Sequence, residues 1–189
     1  GAKSSANYRL TDTGGGFAPG IGTSSNYRNC SGFQCVIAEV PKITFSLSTN
    51  VINLWTLTTG LVNTNSHTMT VITNVGGYNV TVVEDGNLRN GAHDINDVSD
   101  GAVNAGSEEY GLATSDIDSG LDIALDANCG SGPYSATGVN ASPKKIAKAT
   151  GPTYSSGETN TICYAASIAT DTASGSYNQV LTYIATGNF

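Results

Sequence analysis

Carboxylates dominate the charged side chains of this 189-residue sequence, and they are unevenly distributed. Of the 15 Asp and Glu residues, four lie elsewhere and 11 (15 − 4) lie within the segment 84–126. Aspartates recur there at every second or third position, and flexible loops with such oxygens can supply the roughly six to eight ligands of Ca²⁺. The segment predicts either a solvated acidic surface or a calcium site. The candidate ligands are Asp94, Asp97, Asp100, Asp116 and Asp118.

The residues of common catalytic motifs are scarce. His67 and His93 are the only histidines, and no nucleophile elbow, zinc-protease motif, P-loop or dinucleotide-binding glycine motif occurs. A carboxylate pair for glycoside hydrolysis could form within the acidic segment, since separations in space are not readable from sequence. However, that segment contains only one aromatic residue of the Phe, Trp or Tyr type, Tyr110, whereas sugar-cleaving clefts usually contain several. We therefore expect a protein that is not an enzyme.

The cysteines predict an oxidising compartment. The four residues Cys30, Cys35, Cys129 and Cys163 are an even number without a C-x-x-C pair, which favours disulfides over a zinc site. Three pairings are possible. The short spacing of the first two residues favours Cys30–Cys35, which leaves Cys129–Cys163 as the second bridge.

Composition predicts an exported protein that does not bind nucleic acid. Charged residues make up 12 % of the chain and the net charge is −7, without a basic stripe for phosphates. Small uncharged polar residues replace the missing charge, which suits a protein packed against copies of itself. A start without Met fits a mature secreted chain, and no apolar run is long enough to span a bilayer. Sequons at Asn29, Asn79 and Asn140 predict glycosylation, although a chain so rich in Asn, Ser and Thr also produces them by chance.

Strands are the elements that must position these residues. Apolar and polar residues alternate in short runs separated by Gly and Asn, and helical periodicity is nearly absent. The predicted strands cover residues 42–47, 51–57, 67–73, 78–84, 121–125, 162–168 and 178–186. Residues 74–77 predict a hairpin turn between two of them. This pattern predicts an all-β fold, a single β-sandwich of the Ig-like or jelly-roll type.

The N-terminal part differs from the rest, so we expect an extended arm at residues 1–35 and the sandwich at 36–189. Asn-Tyr-Arg occurs twice in the arm, at 7–9 and 26–28, and each copy is a candidate short strand. In the first copy the apolar face consists of Ala6, Tyr8 and Leu10. The flexible hinge that follows consists of Gly14, Gly15 and Gly16.

A half-apolar strand on a hinge has two uses. It can pair with its own sheet, or it can add to the open sheet edge of a neighbouring copy. Head-to-tail addition does not close on itself, so it builds filaments.

The run from Gly175 to Phe189 resembles the closing strand of secreted pilin-like and coat proteins, including spore-coat-U-type pilins and WxL-type surface domains. The stretch from Ile43 to Val83, with Gly60 and Ser66-His67-Thr68, is similar to surface proteins of uncultivated bacteria, as are the N-terminal Ser-Asn-Tyr repeats. TasA-like filament subunits, which join by donor strands, are similar in architecture. The resemblance covers about half of the chain. It implies an Ig-like sandwich and an extracellular or cell-surface location, and it implies no catalytic residue.

These features together predict a structural subunit of an extracellular filament, pilus-like fibre or surface coat. The subunit is expected to form a homopolymer by donor-strand exchange of its N-terminal arm. The alternative is a monomeric secreted binding module or adhesin that recognises a glycan or a surface. Apart from the candidate calcium, no cofactor is expected, and neither nucleic acid nor a membrane span is predicted.

Overall fold

The computed structural model describes residues 40–126, 129, 134–153 and 155–189, together with the backbone of four short strands nearer the N-terminus. The chain divides into two compact units, Gly1–Pro41 and Lys42–Phe189. The predicted boundary between residues 35 and 36 lies outside the described residues.

The described part of the first unit contains two antiparallel strand pairs. β1 (Ala2–Ser4) pairs with β2 (Arg9–Thr11), and β3 (Gly20–Thr23) pairs with β4 (Arg28–Ser31). Within the predicted arm, residues 9–11 therefore pair with residues 2–4 of their own chain. Addition of this segment to the sheet of a neighbouring copy, the other use expected from the sequence, stays a prediction.

Strands also form the second unit, whose described residues contain no helix. In chain order they are β5 (Ile43–Leu47), β6 (Asn63–Thr73), β7 (Tyr78–Glu84), β8 (Leu88–Asn90), β9 (His93–Ile95), β10 (Glu109–Thr114), β11 (Ala124–Leu125), β12 (Lys144–Ala149), β13 (Glu158–Ser167) and β14 (Leu181–Gly187). They form a five-stranded sheet in the order β11-β10-β13-β6-β5, a three-stranded sheet in the order β12-β7-β14, and the pair β8-β9. The all-β class is confirmed. With no helix in the described residues, none there could span a membrane.

The hydrophobic core lies between the five-stranded and three-stranded sheets, in a sandwich-like arrangement. Met69 on β6 and Ile162 on β13 are fully buried in the first sheet, as are Val80 on β7 and Ile146 on β12 in the second. β7 alternates strictly between buried and half-buried positions, as its sequence predicts. Burial of each large apolar side chain stabilises such a core by about 1.5–3 kcal/mol.

Residues 74–77 carry the chain from one sheet to the other. β6 pairs with β5 and β13, whereas β7 pairs with β12 and β14, so the predicted hairpin between β6 and β7 is wrong. Gly77 permits the crossover, because its φ is +120° and a Cβ there would collide with the carbonyl oxygen of Ala149 on β12. A crossover and a hairpin use the same turn residues, so the sequence pattern does not distinguish them.

Candidate functional site

One lateral side of the sandwich, formed by β11 and β12, is closed to further strands. β12 contains three lysines, and its register with β7 shifts between Lys145 and Ala147, which marks a bulge. The backbone N–H of Lys145 donates to the Asp122 carboxylate at 2.7 Å, and the N–H of Lys148 donates to the Asp116 carboxylate at 2.9 Å. Lysines, bulges and covered N–H groups all prevent an edge strand from pairing with another chain. We call this the guarded side.

The opposite side, bordered by β5 and β14, lacks these devices in the described residues. β5 reads Ile-Thr-Phe-Ser-Leu and β14 reads Leu-Thr-Tyr-Ile-Ala-Thr-Gly, so neither strand contains a charged residue or a proline. Each is the last strand of its sheet in the described part of the chain. Their inner side chains are only half-buried, whereas the inner positions of β7 are fully buried. We call this the open side.

The backbone of β14 presents hydrogen-bonding groups along the open side. Val180 and Asn188, which flank the strand, both bond through their backbone toward β7. In an antiparallel ladder, alternate residues bond to opposite neighbours. The even-numbered residues therefore face β7, and the N–H and C=O groups of Leu181, Tyr183 and Ala185 face outward. These same residues direct their side chains toward the core.

A cavity of about 1010 Å³ lies beside β14. Its walls include the segments 47–57 and 172–179, and side chains of β6, β10 and β13 also line it. The aliphatic lining residues are Leu47, Val51, Ile52, Leu54, Leu57, Leu88, Ile168, Ala173 and Leu181. None of the described residues that line the cavity is an Asp, Glu, Lys or Arg. Its size and mixed apolar and neutral polar lining are typical of small-molecule sites.

Three polar rings form a hydrogen-bonded chain in the cavity wall. The Tyr164 hydroxyl on β13 lies 3.3 Å from Nδ1 of His67 on β6 and 2.7 Å from the Tyr183 hydroxyl on β14. Burial lowers the pKa of His67 and raises the pKa of both tyrosines, so all three rings are neutral near pH 7. His67 is 5 % exposed, and its Nε2 has no partner in the described part of the chain. A buried polar atom of this kind costs free energy until something bonds to it.

Residues 51–57, here called the strap, line the cavity without pairing as a strand. Ile52 and Leu54 are half-buried and alternate with exposed residues, which is why the sequence predicts a strand here. However, the strap carbonyls bond to side chains: the amides of Asn63 and Asn65 on β6 donate to three of them at 2.7, 3.1 and 2.8 Å. The prediction of a strand is therefore wrong, since two side-chain amides take the place of a backbone ladder.

Trp55 is the strap residue with the most unusual conformation. Its side chain is 67 % exposed, its φ is +56°, and its N–H donates to the Asn53 side chain at 2.7 Å. The left-handed conformation costs a residue other than glycine about 1–2 kcal/mol. Such strain is concentrated at binding and active sites, where the surrounding structure maintains it.

The buried Glu84 and the half-buried Asp97 interact electrostatically at the end of β7. The Glu84 carboxyl group accepts from the side-chain amide of Gln179. Burial first, and then the Asp97 charge, raises the pKa of Glu84 to about 7, and burial raises the pKa of Asp97 to about 6.

The structure does not bring the five aspartates considered for calcium into one site. Asp116 accepts from the N–H of Asp118 and Asp100 accepts from the N–H of Ala102, which are the i-to-i+2 bonds of Asx turns. Turn formation thus accounts for aspartates at such close spacing. In the described part of the chain, no three His, Cys, Asp or Glu side chains are grouped to hold a metal ion. The residues concerned are Asp94, Asp97, Asp100, Asp116 and Asp118.

A disulfide joins Cys129 to Cys163, with 5.1 Å between their Cα atoms. This is the pairing expected from the sequence, and it ties the segment after β11 to the middle of β13. Cys30 lies on β4, and Cys35 lies outside the described residues, so the Cys30–Cys35 bridge stays a prediction.

The three sequons lie in different surroundings. Asn140 is exposed and its side chain accepts from the N–H of Ser142. Asn79 is half-buried on β7, and its amide donates to Asn188. Asn29 lies on β4. Glycosylation stays a prediction. Of the two described side chains, Asn79 and Asn140, that of Asn140 is the more accessible.

The donor-strand and hinge residues lie largely outside the described residues. This applies to Ala6, Tyr8, Gly14, Gly15 and Gly16. Leu10 lies on β2, opposite Lys3. Donation of this segment to another copy therefore stays a prediction.

Neither the cavity nor the hydrogen bonds of Asn63 and Asn65 to the strap were predicted from the sequence. Asn63, Asn65 and His67 occupy alternate positions of β6, and this face continues into the fully buried Met69 and Val71. The signal in the sequence was that this inner face of β6 changes from apolar to polar residues. Polar residues at positions that face a core are expected where they have a function.

No protein-family model matches this chain, and comparisons with the curated proteins and with the solved structures found no match.

Proposed function

We propose that this protein is a structural subunit of an extracellular filament, pilus-like fibre or surface coat, whose sandwich accepts a strand from a neighbouring copy along the open side. The observation that carries the proposal is the difference between the two sides. The guarded side has lysines and a bulge on β12, and two aspartates there accept hydrogen bonds from backbone N–H groups of that strand. The open side has uncharged strands with half-buried inner side chains.

Strand addition would stabilise the open side through backbone hydrogen bonds and through burial of side chains. An added strand would bond to the outward N–H and C=O groups of β14, which are otherwise a site of uncontrolled association. It would also cover inner side chains such as Phe45 and Tyr183, which are only half-buried. Completing the burial of each should contribute about 1 kcal/mol, roughly half of the value for a whole large side chain.

The proposed donor is the N-terminal arm of the neighbouring copy, with Ala6, Tyr8 and Leu10 on its apolar face. Donation requires β2 to leave β1, and the two strands share three residue pairs. An isolated two-stranded hairpin is marginally stable in water, so this exchange costs little. The low charge of the chain, 12 % of residues, also supports close packing between copies.

The test blocks one backbone group on the open side. Ala185→Pro removes an outward N–H of β14 without removing a bond to β7, and Ala185→Ser at the same position keeps that N–H. We expect Ala185→Pro to stay monomeric in size-exclusion chromatography and negative-stain imaging, and Ala185→Ser to form fibres like the unmodified protein. Circular dichroism and the melting temperature check that both variants fold.

Two further measurements cover the case in which the proline variant does not fold. A synthetic peptide of residues 1–12, added in excess, should shift the unmodified protein toward capped monomers. Deletion of residues 1–12 should abolish fibres. Normal fibres from Ala185→Pro or from the deletion variant would overturn the proposal, and native material that is always monomeric would favour the binding-module alternative.

A further inference from the structure

The proposed strand addition does not require the cavity that the strap borders. We infer that the cavity binds an uncharged lipophilic molecule with a hydroxyl group, and that His67 bonds to that hydroxyl. The site is built from one copy of the chain. β14 contributes its side chains Leu181 and Tyr183 to the cavity, whereas strand addition uses its outward backbone groups.

The lining determines the chemical class of the ligand. Leu and Ile side chains line the cavity together with neutral Asn, Gln, Ser and Thr side chains, and no Asp, Glu, Lys or Arg of the described part of the chain contributes to it. A carboxylate, phosphate or ammonium group placed there would lose its hydration without gaining an opposite charge, which is strongly unfavourable. The cavity volume of about 1010 Å³ is at the upper end for small-molecule sites, so it has room for a ligand of drug size or larger.

His67 determines the polar group of the ligand. Its Nδ1 lies near the Tyr164 hydroxyl, while its Nε2 is buried and has no partner among the described residues. In a neutral imidazole, Nε2 is a donor in one tautomer and an acceptor in the other. A hydroxyl group can donate or accept, so it fits both tautomers, whereas a carbonyl group fits only one.

The strap provides an entrance. In the described part of the chain, the strap is bonded to β6 through the side-chain amides of Asn63 and Asn65. The strap can therefore move away without breaking the ladder of either sheet. The exposed indole of Trp55 lies at the same segment and also lines the cavity. An exposed aromatic ring at an apolar entrance suits an apolar ligand.

The first test uses the neutral fluorescent lipophile N-phenyl-1-naphthylamine with the full-length protein. We expect its fluorescence to rise on binding, and 1-dodecanol to displace it with at least tenfold higher affinity than laurate at pH 8. Laurate has the same chain length and carries a negative charge. No fluorescence rise with folded protein, or displacement by laurate as strong as by dodecanol, would overturn the inference.

Three variants locate the site. Ile168→Trp and Leu57→Trp fill the cavity and should abolish probe binding, whereas Ile117→Trp, at an isoleucine that is 82 % exposed and outside the lining, should not. Near-UV circular dichroism checks folding, and either filling variant suffices if the other fails to fold. Probe binding by a folded Ile168→Trp or Leu57→Trp variant equal to that of the unmodified protein would place the ligand elsewhere.

The role of His67 has its own readout. His67→Phe keeps an aromatic ring and removes Nε2, so it should weaken dodecanol binding about three- to tenfold, the usual contribution of one neutral hydrogen bond. Binding of the probe itself, which has no hydroxyl, should change less than twofold. Equal effects on dodecanol and probe would show that His67 only supports the cavity wall. The Ala185→Pro monomer should bind both molecules normally, so this inference can fail or succeed independently of fibre formation.

Discussion

Polar residues in the interior of this molecule occur where the protein can use them, and each has a physical consequence that can be measured. His67 has one nitrogen beside the cavity without a partner among the described residues, and the buried Glu84 interacts electrostatically with Asp97. The sequence could not predict the carboxyl pair, because its members are 13 positions apart (97 − 84) on a strand and a loop. Only the fold brings them together.

The carboxyl pair predicts that stability falls as pH rises. Glu84 has a pKa of about 7 in the folded chain, against an ordinary value of 4.5, so the folded state binds the proton more tightly than the unfolded state does. Its stabilising contribution is complete below about pH 4.5 and is lost as pH rises through about 7. We expect the melting temperature at pH 8 to be lower than at pH 5.

Variants assign this effect to the pair. Glu84→Gln cannot ionise, so the difference in melting temperature between pH 5 and pH 8 should shrink. Asp94→Asn, which changes an exposed carboxyl group on β9, should leave that difference unchanged. A pH profile that is the same in Glu84→Gln and in the unmodified protein would contradict the assignment.

Trp55 gives a second prediction at the scale of a residue. Asn tolerates a positive φ better than Trp does, so Trp55→Asn should relieve backbone strain at φ +56°. Because the indole is 67 % exposed, little burial is lost. Urea unfolding should show a free energy of unfolding unchanged or raised by up to about 1 kcal/mol. A loss of more than about 1 kcal/mol would mean that the indole itself holds the strap in place.

Among the elements, the strands with strict alternation were the predictable ones. β7 spans the predicted residues 78–84, and β5 has its half-buried Ile43, Phe45 and Leu47 on one face as expected. The strap alternates but is not a strand. Alternation indicates that one face is buried, and it does not indicate which groups the backbone bonds to. The sheet to which a strand belongs depends on contacts distant in sequence, so the crossover after β6 was missed.

The guarded side predicts a specific effect of its aspartates. Asp116 is 3 % exposed and accepts backbone N–H groups from Asp118 and Lys148, so Asp116→Ala leaves both donors without this acceptor. We expect the free energy of unfolding to fall by about 1–3 kcal/mol, and the edge of β12 to favour irregular aggregates.

The matched control is Asp94→Ala, because Asp94 is exposed on β9. Its effect on stability should stay within about 0.5 kcal/mol. Light scattering after a thermal cycle measures the aggregation. If Asp116→Ala unfolded and aggregated no more readily than Asp94→Ala, the aspartate would not be guarding the edge.

At the scale of the whole molecule, the all-β class followed from composition and periodicity, while the difference between the two sides did not. The lysines and aspartates of the guarded side come from segments 116–122 and 144–148, which the fold places side by side. Asymmetry of this kind allows copies to join in one direction and limits lateral association. It is a property of the assembled sandwich, so no single motif in the sequence reveals it.

The net charge of −7 on each copy predicts how ionic strength would control the proposed assembly. Copies that join along uncharged strands gain no attraction from charge at the junction, but they repel each other over the rest of their surfaces. Raising the salt concentration from about 10 mM to about 150 mM shortens the screening length from about 30 Å to about 8 Å. Fibre formation followed by light scattering should therefore start sooner and at a lower protein concentration in the higher salt. Ala185→Pro, which lacks the proposed junction, should remain monomeric at both concentrations. Slower assembly at higher salt would instead mean that opposite charges hold the copies together, and the junction would then have to lie away from the uncharged strands β5 and β14.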